Sequence, residues 1–174
     1  MKVTIVPGVL LSFCLCAQCG AGNQTSSTPA PSPVAKDLAT LVRSVPLIVV
    51  AKVSELQPGR TVGEGEGYLQ FNDVRLLVEK RLKGQPPTEL FVEQLVKAGR
   101  TASAEVGPAY EPGQRYVLFL RPGEGNRYIT AGQGRYLLRK GTVYPTEPGL
   151  VADKVRDTEQ AKFIAEIEVN LRTR

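Results

Sequence analysis

Apolar positions recur along this chain with two different periods. Between residues 34 and 45 they fall at Val34, Leu38, Leu41, Val42 and Val45, one helical face, and Pro46 ends the run, so a short amphipathic helix is predicted. From there the pattern changes to dense or alternating apolar stretches bounded by glycine and proline. Leu47 to Val53, Tyr68 to Leu82, Glu89 to Val96, Arg115 to Arg121, Arg127 to Thr130 and Arg135 to Tyr144 each read as a strand. In the second of these, Val74, Leu76 and Val78 alternate with Arg75 and Glu79. Gln57-Pro58-Gly59-Arg60 and the run Gly63 to Gly67 read as a flexible connection, and Lys83 to Pro87 as a turn. At the end of the chain Phe163, Ile164, Ile167 and Leu171 share a helical face, and Asp157 with Gln160 has the spacing of a capping box. Short strands with turn signals between them predict a mainly β fold, a small barrel or sandwich rather than a βαβ fold.

The first residues follow neither period. Lys2 precedes a largely apolar stretch from Val3 to Ala17, shorter than the ~20 residues that cross a bilayer, and residues 1–19 read as an export signal. The segment Leu15-Cys16-Ala17-Gln18-Cys19-Gly20 resembles a bacterial lipoprotein signal, which implies acylation of Cys19. It departs from that pattern at Gln18 and Cys16, and plain secretion with cleavage after Cys19 or Ala21 is the alternative. Residues 20–36, rich in Ser, Thr, Pro, Ala and Gly up to Pro33, read as a disordered linker that could hold a domain clear of a membrane. Residues 37–174 then form a single domain, long enough to bury its own core.

Composition narrows the chemistry. The chain has no histidine, and its three cysteines, Cys14, Cys16 and Cys19, all precede the linker, so the domain lacks the side chains that most often act as nucleophiles, proton carriers or transition-metal ligands near neutral pH. No enzyme activity, metal or cofactor is expected. The net charge of +5, or +4 once Lys2 is removed, is compatible with anionic partners without requiring them.

Four segments, Ser44 to Val53, Val74 to Gly84, Pro112 to Leu120 and Ala131 to Tyr136, resemble a group of uncharacterised exported bacterial proteins. Their shared pattern is similar to the OB-type barrel of tissue inhibitors of metalloproteinases and netrin-like modules. The resemblance implies an OB-like β-barrel with a short helix before it and an amphipathic helix after it. It does not carry over inhibition, because those inhibitors present an N-terminal cysteine and are disulfide-bridged, whereas residues 37–174 contain no cysteine.

One constellation suggests a ligand. Arg115-Tyr116, Arg127-Tyr128 and Arg135-Tyr136 repeat a base–aromatic pair, followed by Arg139 and Lys140. On a strand, adjacent residues point to opposite sides, so the tyrosines are expected in the core or at its rim and the arginines in solvent. Arg115, Arg127, Arg135, Arg139 and Lys140 would then make a mildly basic face for an anionic envelope polymer or an acidic protein. Membrane contact is expected through the signal or a lipid anchor alone, and nucleic acid is not an expected partner of an exported domain. The resulting expectation is an exported, non-enzymatic binding module of the cell envelope. One alternative is a secreted protease inhibitor presenting residues 59–67 or 97–114. Another is a hydrolase built on carboxylates such as Glu64 and Glu66 or on a Ser/Lys pair, although Ser54 and Ser103 sit in no nucleophile motif.

Overall fold

Two strands, β1 (Leu47–Val62) and β4 (Arg115–Pro122), carry uninterrupted apolar runs because both of their sides are covered. The computed structural model describes residues 35–101 and 107–173. The export signal, Cys19 and the linker up to residue 34 lie outside the described residues. With β2 (Leu69–Lys83), β3 (Glu89–Ala98), β5 (Arg127–Arg139) and β6 (Thr142–Pro145), the strands lie in the order β3-β2-β1-β4-β5-β6. Neighbours are antiparallel, and a parallel contact between β3 and β5 closes the first five into an OB-like barrel.

Alternation divides the apolar residues into two clusters. Leu47, Val49, Ala51 and Val53 of β1 meet Val74, Leu76, Leu90, Val92, Tyr116, Leu118 and Leu120 inside the barrel. Ile48, Val50, Val117, Phe119, Tyr136 and Leu138 face outward and are covered by three helices, α1 (Leu38–Ser44), α2 (Leu150–Val155) and α3 (Gln160–Arg172). Phe163 and Ile167 of α3 are fully buried there, and Ala35 already belongs to this cluster. The Tyr136 ring lies 5.8 Å from Phe119, edge-on, and 4.9 Å from Phe163, tilted, centroid to centroid.

The helix ends follow local chemistry. Asp37 caps α1 by accepting from the Thr40 N–H at 2.7 Å, and Lys83 Nζ donates to the Val42 and Val45 carbonyls at its far end. The capping box expected at Asp157 and Gln160 does not form. Asp157 instead takes a positive φ of 60° and donates its N–H to the Val143 carbonyl, and α3 starts one residue after Glu159 without a side-chain cap. Helix α2, six residues behind Gly149 with no side-chain cap, is absent from the sequence expectation.

Two glycine segments expected between strands lie inside them, and one turn falls within an expected strand. Pro58-Gly59 lies within β1, at a register shift against β2, and a Cβ on Gly59 would stand 2.9 Å from the Phe71 carbonyl oxygen. Only glycine lets the two backbones approach this closely. Gly132-Gln133-Gly134 is a bulge inside β5, and the real reversal comes at Lys140 and Gly141, whose φ values of 51° and 78° suit a two-residue hairpin turn into β6.

Replacing Phe163 with Ala should remove about 3–5 kcal/mol of stability in a urea titration, the range for a large aromatic excised from a packed core. The Tyr136 hydroxyl, by contrast, is buried without a hydrogen-bond partner among the described residues. Tyr136→Phe should therefore leave the unfolding free energy from the same titration unchanged or raise it by up to about 1 kcal/mol.

Candidate functional site

The outer side of β2 and β3 carries charge where the opposite side of the barrel carries helices. Asp73 and Glu93 pair directly across these strands, pointing away from the interior positions Val74 and Val92, and like charges in such positions repel. Each is neutralised by an arginine fork. Arg127 donates through Nε and Nη2 to the two oxygens of Asp73 at 2.8 and 2.6 Å. Arg60, lying over the Phe71 ring, donates to Glu93 at 2.7 and 3.1 Å and also contacts Glu124 in the β4–β5 turn. Arg75 pairs with Glu89 at 2.6 Å and with Glu55 at 3.8 Å. The three arginines thus face five carboxylates, so the lattice is not a basic surface.

At one end of the β3–β5 contact the two strands part and leave a cavity of about 260 Å³. Gln94 builds its wall, donating to the Pro108 carbonyl at 2.8 Å and accepting from the Tyr110 N–H at 3.2 Å, which holds residues 108–110 against β3. The Tyr110 hydroxyl meets Thr130 Oγ1 at 2.9 Å, and its ring packs edge-on to Tyr116. The Arg135 guanidinium stacks on Tyr110, 4.5 Å from the ring centroid, and its Nε donates to Thr146 Oγ1 at 2.8 Å. Glu147 lines the same cavity and accepts from the Gln133 N–H at 3.0 Å. Arg135 is 4% exposed, yet among the described residues its two Nη groups have neither a hydrogen-bond nor an ion-pair partner. A larger groove of about 490 Å³ lies at the other end of the contact, but there Glu89 and Arg127 are already paired.

The structure separates the basic residues expected to share one face. Arg115 is exposed and paired with Glu79 at 2.7 Å, Arg127 belongs to the lattice, and Arg139 and Lys140 are exposed at the opposite end of β5. Arg135 turns inward. The β5 bulge explains this: between the pairs Leu120↔Thr130 and Leu118↔Arg135, β4 advances two residues and β5 five. An odd advance reverses the alternation, sending Tyr136 outward under α3 and Arg135 into the barrel mouth. Gly134 makes the bulge possible, since a Cβ there would lie 2.6 Å from the Ala131 carbonyl oxygen and 2.9 Å from Phe119 Cβ.

Sequence reasoning passed over Arg60, Asp73, Glu93, Gln94, Tyr110 and Glu147. The available signal was a charged residue at Asp73 and Glu93 inside otherwise apolar strand patterns. Ser54, Glu64 and Glu66 are exposed, and Glu66 lies 4.0 Å from Arg100. Residues 102–106, which include Ser103, are outside the described residues. No family model matches the chain, and no curated protein is similar to it in sequence.

Burial raises the Tyr110 hydroxyl from 10.0 to about 12, and raises those of Tyr116 and Tyr136 as well. Below pH 10 the folded and unfolded chains both hold these protons and stability is at its full value. Between pH 10 and about 12 the unfolded chain loses its Tyr110 proton first, so stability should fall as pH rises. A phenolate absorbance titration should therefore show part of the six tyrosines ionising only together with loss of the folded circular-dichroism signal.

Proposed function

We propose that this chain is an exported, non-enzymatic binding module of the cell envelope, anchored through Cys19, whose barrel-mouth cavity receives an anionic group from an envelope polymer or an acidic protein. The observation that carries this reading is Arg135. Arg60, Arg75, Arg115 and Arg127 are matched to carboxylates, while the terminal nitrogens of the buried Arg135 face a cavity and have no partner among the described residues. With one face and Nε of the guanidinium already engaged, its Nη edge opens into the cavity, where an incoming anion would pair with it. Position supports the same reading, because OB-like barrels bind ligands on the strand 2–3 side, which here α3 meets only at the Lys80–Leu82 end of β2 and which borders the cavity at Phe71 and Glu93. That support is by analogy of fold.

The test is binding of the mature chain, recovered from the envelope of its host, to polyglutamate and to a polyuronate at low and high salt. Binding should weaken as salt rises and disappear in Arg135→Met, with the thermal transition showing that the variant still folds. Absence of binding to either polymer would remove the reading. Intact mass of the same preparation tests the anchor separately. A chain beginning at Cys19 with added acyl mass supports it, and an unmodified chain beginning after Ala21 rules it out.

A further inference from the structure

Resting on that reading, we infer that the Arg135 cavity is selective for a single terminal carboxylate, taken end-on, rather than for a phosphate or for the repeated charges of a polyanion. Shape, charge balance and lining each lead to this ligand.

The guanidinium is approached from its edge. Tyr110 covers one face at 4.5 Å, Nε is committed to Thr146, and Nη2 lies beside Gly107 on the cavity wall. What remains is the Nη pair, a planar fork whose spacing matches the two coplanar oxygens of a carboxylate.

Charge balance then separates carboxylate from phosphate. Among the described residues the cavity is lined by one cation, Arg135, and two carboxylates, Glu93 and Glu147. Glu93 is neutralised by Arg60, but among the described residues Glu147 accepts from the Gln133 N–H and has no ion-pair partner. A monoanion on Arg135 completes one ion pair and leaves Glu147 as the single unbalanced charge. A phosphate dianion would add a second negative charge in the same small volume, where low dielectric strengthens repulsion.

Size and polarity specify what carries the carboxylate. At about 260 Å³ the space is below the roughly 300–1,000 Å³ of ordinary ligand pockets, so it admits an end group and not a length of polymer. Leu95, Pro108 and Ile129 supply an apolar wall suited to a short aliphatic group next to the carboxylate, and Glu147 can accept from an N–H or O–H one or two bonds further back. A peptide C-terminus and the acid end of a uronic sugar both meet these requirements.

The experiment titrates the mature chain with N-acetyl-alanyl-alanine, its C-terminal amide, glucuronate and inorganic phosphate, following heat and the backbone amide signals of Gly107 and Tyr110. A free-carboxylate probe should bind and shift those signals, the peptide amide should not, and phosphate should bind at least tenfold more weakly. The tighter of the two carboxylates identifies the source as peptide or sugar. Arg135→Lys keeps the charge but loses the fork and should weaken carboxylate binding at least tenfold. Because a change at Arg135 could impair folding, Glu147→Gln provides an independent readout, narrowing the preference for carboxylate over phosphate by admitting the dianion. Preferential phosphate binding, or binding of polyanions alone with the same dependence on Arg135, would overturn the carboxylate assignment while leaving the binding-module reading intact. Failure of every small probe and of both polymers would overturn the two together.

Discussion

Closing this barrel depends on three residue pairs, Phe91 to Glu93 of β3 against Arg127 to Ile129 of β5, the only parallel contact among the described strands. So short a ladder is a weak seam, and parallel pairing is slightly less stable per residue than antiparallel. The charges around it act as cross-links. Arg127 reaches past β3 to Asp73 on β2, and Arg60 on β1 reaches Glu93 on β3 and Glu124 beyond β4. Four of the five strands and the β4–β5 turn are thereby joined over the seam. The same cross-links allow two acidic residues to stand opposite one another in the sheet, which an isolated β2–β3 pair would not tolerate. The cavity exists because the strands separate immediately beyond the seam, so site and closure have one origin.

The sequence and the structure agree where one physical rule is sufficient. Continuous apolar runs at Leu47–Ala51 and Tyr116–Leu120 mark strands covered on both sides, and they form the centre of the fold. Pro46 and the period of Phe163, Ile164, Ile167 and Leu171 mark the helices at either end. A mainly β, OB-like barrel between two terminal helices was legible from those features.

The site was not legible in the same way, for identifiable reasons. Glycine serves turns, bulges and close approaches equally, and which one Gly132 to Gly134 makes is decided by the nearby Phe119 backbone, fifteen residues from Gly134 in sequence. That bulge fixes the phase of everything after it. The alternation rule itself holds at all three Arg-Tyr pairs; what it cannot reveal is that the outer side of β5 is an apolar layer under α3, so that Tyr136 is buried outward and Arg135 is the residue turned in. Partners of the charged lattice are equally hidden, since Asp73 and Arg127 are 54 residues apart and Arg60 and Glu93 are 33 apart. Helix α2 has too few residues to establish a period.

The attachment of α1 has a mechanical consequence. A domain held by its N-terminal segment feels tension first at Ala35 and α1, a seven-residue helix whose Leu38, Leu41 and Val42 pack into the helix layer. Lys83, from the end of β2, holds the carbonyls of Val42 and Val45 at 2.7 and 2.6 Å, just before β1 begins at Leu47. Tension along the segment would peel α1 turn by turn and then meet that ammonium clamp at the entry to the central strand. Beyond the clamp, further extension would have to shear β1 from β2 and β4 along its length. The helix would then act as a spring in series with a stiff barrel, absorbing a pull before the barrel mouth is distorted.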